Sequence, residues 1–253
     1  MTAPSSFADL VAEGAAEPVA GWDFSWFAGR ASEERPRWGY SRLLAGRMSS
    51  AGAALDVQTG GGEVLAEVPQ PPPLLVATEA WPPNLAVASR NLRRVGAAVV
   101  QASDIGGLPF RSGTFDLVVS RHPVATAWHE VARVLRPGGS YLSQQVGAGS
   151  NRELTDFMMG TQPVNPGRSP RRAVAAAQAA GLVVADLREQ ALRVTFSDVG
   201  AVVYFLRKVP WTVPGFSVAG YRGRLAAMHE HIQAEGEFVC HAQRFLIEAV
   251  KPG

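Results

Sequence analysis

The residues with chemistry to offer fall at the ends of apolar runs. Asp56 follows Ala54-Leu55 and leads into Val57-Gln58-Thr59-Gly60-Gly61-Gly62-Glu63-Val64-Leu65, a glycine-rich turn before a short helix. Glycines there let the backbone come close to a ligand and leave amide N–H groups exposed at the start of a helix. Glycines alone would equally suit a dinucleotide-binding turn. Asp56 discriminates, because a carboxylate at that place repels a pyrophosphate and welcomes a ligand with a cationic amine. Glu79 closes LLVATE, where an acid can accept both hydroxyls of a ribose. Asp104 closes VVQASD, where an acid can accept the exocyclic amino group of a purine between the apolar walls Ile105 and Leu108. His122, directly after FDLVVSR, is a candidate base for an acceptor that must lose a proton; with Arg121 it could instead only shape the pocket.

The elements that must hold these residues read as strand, helix, strand, repeated. LLVAT (74–78), AAVVQ (97–101), FDLVVS (115–120) and SYLSQQV (140–146) are apolar runs suited to buried parallel strands. Amphipathic helices are expected over Asn84 to Arg94 and Thr126 to Leu135, the second stopped by Pro137-Gly138-Gly139. Right-handed crossovers then favour an α/β fold, a doubly wound sheet with helices on both faces. Three acids at the carboxyl ends of successive parallel strands would line one crevice, the usual ligand position in such a sheet. Further on, a Pro/Gly-rich stretch (160–170) precedes a helix at Arg171 to Ala180 and a long strand at Leu182 to Phe196. A helix in YRGRLAAMHEHIQAEG precedes a strand at Glu237 to Val250, expected as an antiparallel addition to the sheet edge.

Residues 1–51 differ, and are expected to form an N-terminal helical and aromatic cap on a domain covering 52–253. Pro18 to Tyr40 holds Trp22, Trp26, Trp38, Phe24 and Phe27 with little regular period. These aromatics either pack on the sheet or form a lid over a ligand, for which Trp22, Trp26, Phe27 and Tyr40 are the substrate-facing candidates. The aromatics of a 196–220 insert could likewise be core or a homodimer contact.

Composition narrows the function classes. The chain has 253 residues, 47% of them hydrophobic and 18% charged, the profile of an ordinary globular protein. No apolar run reaches the roughly 18 residues that span a bilayer, and the acidic start does not resemble a signal peptide, so the expected location is the cytoplasm, with no membrane partner. A net charge of +2 argues against dependence on a nucleic-acid backbone. The single cysteine, Cys240, excludes an internal disulfide and a zinc site built on paired cysteines; no oxygen-ligand cluster suggests another metal.

LDVQTGGGEVL, LLVATEAWPPNLAVA, QASDIGGLPFRSGTFDLVVSRH and EVARVLRPGGSYL together resemble the class I S-adenosylmethionine-dependent methyltransferases, over Leu55 to about Val146. The resemblance implies a Rossmann-like, seven-stranded sheet with the last strand antiparallel. It implies S-adenosyl-L-methionine as cofactor, with Asp56, Gln58, Thr59, Gly60 and Gly61 toward its methionine portion and Glu79 with Ala80 toward the ribose. Asp104 and Ile105 would face the adenine, and Ser120 and Arg121 would complete the pocket. One departure matters: Gln58 stands where the family usually has its first glycine. A glutamine does not readily take positive φ, and its amide either weakens binding or contacts the ligand.

The acceptor is then expected to be a small molecule, methylated on oxygen or nitrogen, with carbon left open, by in-line displacement. SRHP after the fourth strand lacks the Asn/Asp-Pro-Pro-aromatic tetrad that holds a flipped adenine, and no Pro-Cys supplies a nucleophile toward cytosine. An RNA or protein methyltransferase remains an alternative, as does a non-catalytic cofactor-binding protein given Gln58. A nicotinamide-dependent oxidoreductase is disfavoured by Asp56.

Overall fold

The computed structural model describes residues 6–19 and 24–253. Its backbone divides into two units. A sheet unit comprises residues 36–148, 166–190 and 244–253; a helical unit comprises 149–165 and 191–243 with the described residues up to 35.

The helical unit opens with α1 (Phe7–Ala16), whose first turn is closed by a reciprocal capping box between Ser6 and Asp9, and with the short strand β1 (Ala31–Glu33). In the sheet unit, α2 (Tyr40–Ser50) precedes β2 (Ala53–Asp56), β3 (Leu74–Glu79), α3 (Pro82–Asn91), β4 (Ala98–Gln101), β5 (Phe115–Arg121), α4 (Trp128–Val134) and β6 (Leu135–Val146). The chain then forms α5 (Arg152–Met159) of the helical unit and α6 (Pro170–Ala179) of the sheet unit. It continues through β7 (Val183–Phe196), α7 (Val199–Lys208), α8 (Arg222–Glu235) and β8 (Phe238–Val250).

Within the sheet unit the strands lie in the order β4-β3-β2-β5-β6-β8-β7. Strands β2 to β6 pair in parallel, and β8 runs antiparallel to β6, with Gln144 opposite Leu246. Chain order reverses between β2 and β5, so a crevice opens at the carboxyl ends of these strands. This is the doubly wound fold, with two corrections. The closing strand lies between β6 and β7 instead of at the edge, because Phe245, Leu246, Ile247 and Ala249 are all buried and need cover on both faces. The strands number eight instead of seven: in the helical unit β1 adds antiparallel to β7, Ala31 opposite Phe196.

Alternation along the strands builds two cores, one on each face of the sheet. Ala54, Leu75, Ala77, Leu117, Val119, Leu142 and Leu246 pack with Leu44 and Met48 of α2 and Ala88 of α3. Their neighbours Leu55, Val76, Val118, Tyr141, Phe245 and Ile247 pack with Val131 of α4 and Ala173 and Ala177 of α6. The helices start and stop for local reasons. Pro82 and Pro83 occupy the first turn of α3, where their missing N–H groups cost nothing, so this helix begins two residues earlier than expected. The helix α4 ends at Val134, and Pro137-Gly138-Gly139 fall inside β6.

The helical unit has its own core, in which α7 is buried along most of its length. Tyr204, from the insert, is core. Cys240 is buried there too, and burial pushes its thiol up to about 12, so it is a packed small hydrophobe and not a nucleophile. Gly14 of α1 and Gly200 of α7 approach so closely that a side-chain carbon on either meets the other helix's backbone. Gly14→Ala should therefore lower stability by about 1–3 kcal/mol, read as a lower urea midpoint; an unchanged midpoint would mean the helices separate freely. Among the described residues no helix is long and apolar enough to cross a membrane.

Candidate active site

The crevice is assembled by the turns that leave β2, β3 and β4. Asp56, buried at the end of β2, accepts a hydrogen bond on Oδ2 from the Thr59 hydroxyl at 2.7 Å. Burial pushes its carboxyl up to about 7; the Thr59 bond opposes the shift and the nearby Glu79 charge adds to it. The turn is tied to β3 by Thr59 N–H donating to the Thr78 carbonyl at 2.8 Å and Gln58 N–H donating to Thr78 Oγ1 at 3.3 Å. Glu79, also buried, accepts from Gly60 N–H at 2.8 Å on one oxygen and from Trp81 N–H at 2.9 Å on the other. It thereby fixes the glycine turn against its own strand end.

Gly60 has φ +65°, and nothing lies within 4 Å of where its Cβ would stand. Only glycine holds this left-handed conformation cheaply, and the space above it stays open for a ligand. Gly61 is anchored through its carbonyl, which accepts from Asn91 Nδ2 at 2.8 Å, and the Ala80 carbonyl accepts from Gln101 Nε2 at 3.3 Å. On the β4 side, Asp104 is half-buried, and burial raises its carboxyl pKa.

Gln58 takes the left-handed φ of 60° in spite of its side chain. Its amide crosses from the β2 turn to two other loops. Nε2 donates to the carbonyls of Asp104 at 3.2 Å and Ala125 at 2.7 Å, and Oε1 accepts from Val124 N–H at 2.7 Å. The cavity it lines together with Val57, Asp104, Pro123, Thr126 and Tyr141 among others is about 10 Å³. That is room for one water at most.

The other candidates are placed variously. Ser120 lies inside, its hydroxyl bonded to Tyr141 at 2.7 Å and to Ser143 at 2.8 Å. Tyr40 is buried beneath it and donates to the Ser120 carbonyl at 3.0 Å, so it supports the end of β5 instead of covering a ligand. Trp26 and Phe27 belong to the helical unit and pack on Tyr204, each with ring centroids 5.0 Å away. Trp22 lies outside the described residues. Arg121 is exposed at the end of β5.

His122 has φ 54°, and its imidazole is held by Gln144 at 2.9 Å. Trp38 Nε1, a donor only, binds Gln144 Oε1 at 2.8 Å, which turns the amide nitrogen toward His122 Nε2. His122 Nε2 must therefore accept, and the ring is neutral. Burial first, then Arg121, Arg244 and Arg168, lower its pKa to about 3. An imidazole so weakly basic, with its lone pair engaged, does not suit the role of base. His122→Ala should leave the pH profile of turnover between 6 and 8 unchanged; loss of a limb near neutrality would restore the base.

Three large apolar side chains stand exposed at these strand ends. Trp81 is 51% exposed, Ile105 77% and Val124 65%, each on a loop at the carboxyl end of one of β3, β4 and β5. Exposed large apolar groups around one crevice mark a ligand surface. Of these only Ile105 was signalled, by its place next to Asp104; the Trp-Pro-Pro after Glu79 was the available cue for Trp81.

Residues 55–143 match the family model described as a methyltransferase domain. Over those residues the chain is similar to methyltransferase domains. No curated protein matches the chain. Solved structures share the fold at low identity. A methyltransferase-like protein from Bacillus halodurans C-125 is 18% identical with a TM-score of 0.60, covering 85% of this chain and 100% of that one. A sarcosine dimethylglycine methyltransferase, so described, from Galdieria sulphuraria is 17% identical (TM-score 0.51; 85% and 84% covered). A geranyl diphosphate methyltransferase in complex with GPP and sinefungin is 15% identical (TM-score 0.52; 85% and 78% covered).

The polar groups of the crevice are of the kinds S-adenosylmethionine would need. Glu79 retains lone pairs beyond the two used by the turn, Gly60 leaves the approach clear, and Asp104 stands at the far side with Ile105. The one group out of keeping is Gln58.

Proposed function

We propose that this protein is a methyltransferase that acts on a small molecule, transferring the methyl group to an oxygen or nitrogen atom by in-line displacement, in the cytoplasm. The observation that carries the reading is the placement of Asp56, Glu79 and Asp104 at three adjacent strand ends around the open Gly60 turn. The cofactor, when bound, supplies a methyl group already made electrophilic by its sulfonium. The chain's residues then have to hold the cofactor, orient the acceptor and exclude water. Glu79 and Asp104 are the proposed partners of the ribose and adenine, and buried Asp56 faces the methionine portion.

A small acceptor is supported by the near-balanced charge and by neighbours whose names state small substrates. With His122 engaged by Gln144, an acceptor that arrives with a free lone pair, such as a neutral amine, suits the site better than one needing deprotonation there. Isothermal titration with S-adenosylmethionine and S-adenosylhomocysteine, with NAD as control, tests the cofactor side. Both sulfur ligands should bind and NAD should not. Methyl transfer from labelled cofactor to panels of small amines and alcohols, with RNA and protein as controls, tests the acceptor. Labelling of RNA or protein alone would overturn the small-molecule reading.

A further inference from the structure

We propose that Gln58 is an intramolecular latch that competes with S-adenosylmethionine for the crevice, so that its side chain must release two loops before the cofactor can enter. This rests on the reading of the crevice as the cofactor site. Three observations carry it. The Gln58 amide makes three hydrogen bonds, two of them at 2.7 Å, and all of them to backbone groups on the Asp104 loop and the 124–125 loop. No partner lies on its own turn. The cavity that Gln58 lines on the Asp104 side of the crevice is about 10 Å³, far below the several hundred Å³ typical of a small-molecule site. Finally, Val124 is 65% exposed, yet its N–H is held by Gln58 Oε1. The latch thus ties down a segment with little burial of its own.

The backbone also prepares the release. A glutamine at φ 60° carries strain that a glycine would not, and that strain is tolerated only while the three bonds hold the side chain across the gap. The closed state is therefore a balance between bonds gained and conformational cost. Apparent affinity is reduced by the fraction of molecules that are open. Three bonds to neutral groups, offset by the left-handed strain, correspond to about a tenfold to hundredfold reduction.

Two substitutions separate span from strain. Gln58→Gly removes both the amide and the strain. Gln58→Asn keeps a side chain that tolerates the left-handed region but is one methylene too short to reach both loops. Both variants should bind S-adenosylhomocysteine about 10- to 100-fold more tightly than the unaltered protein by titration calorimetry. In the absence of ligand, the Val124 amide should exchange with deuterium faster in both, by NMR. Equal or weaker binding by Gln58→Gly, with binding by the unaltered protein intact, would overturn the latch, and weaker binding would make the amide a ligand contact. A Val124 amide equally protected in all three proteins would overturn it independently of any cofactor. No binding by any of the three, with Val124 released in the variants, would overturn the cofactor reading and the latch's role in entry while leaving the tie itself in place.

Discussion

Glu79→Ala should weaken binding of S-adenosylhomocysteine by about 2–4 kcal/mol, a loss of roughly 30- to 1,000-fold. Two effects combine. The carboxylate proposed for the ribose hydroxyls disappears, and with it two desolvated charge-assisted hydrogen bonds. The same change strips the partners from Gly60 N–H and Trp81 N–H, so the glycine turn loses its tie to the end of β3. Glu79→Gln separates the effects. An amide keeps one acceptor and the shape of the side chain, so it should hold part of the turn while losing the charge. Titration calorimetry on both variants, with urea midpoints as a check on folding, decides the matter. Unchanged affinity in Glu79→Ala would remove Glu79 from the ribose site. Asp104→Ala should have the smaller effect, because its carboxyl is only half-buried.

Asp56→Asn should change how stability depends on pH. The carboxyl of Asp56 titrates near 7 in the folded protein and near 3.8 when unfolded. Between these values the folded state binds the extra proton, so this group's contribution to stability falls as pH rises from about 4 to 7 and is flat above. A shift of about three units corresponds to about 4 kcal/mol at most. Asparagine cannot ionise, so the variant should gain on the unaltered protein across that window and keep the gain at pH 8. His122 acts in the opposite sense. Its folded pKa of about 3 lies below 6.5, so its contribution rises with pH between those values. The two slopes oppose each other in the unaltered protein, and Asp56→Asn should expose the rising one. Parallel stability curves for the two proteins between pH 4 and 8 would show that Asp56 is not desolvated as described.

The strand ends were legible because parallel strands buried on both faces are written as short continuous apolar runs, and an acid or glycine after each run is conspicuous. Asp56, Glu79 and Asp104 could be placed on one side of a sheet from that pattern alone. Strand order was less legible: nothing in the run FVCHAQRFLIEAV states which neighbour it pairs with, and only the burial of both its faces explains its place between β6 and β7. The strand β1, three residues long, is too short to show any period. The aromatics near the N-terminus gave composition without register, so Tyr40, a buried support under Ser120, and Trp26, a packing residue of the helical unit, looked alike. The choice between the two roles of His122 was not legible because it depends on Gln144 and Trp38, residues remote in sequence whose hydrogen bonds fix the ring's protonation. Gln58 was noticed as a departure, but where its amide would reach required the loops to be in place.

The long strands β7 and β8 each begin in one unit and finish in the other, and the helical unit is drawn from three separated stretches of chain. Neither unit can therefore be transcribed as one uninterrupted fragment, and a single recombination crossover within the chain divides at least one of them. Exchanging one terminal segment of this chain therefore cannot replace the helical unit whole.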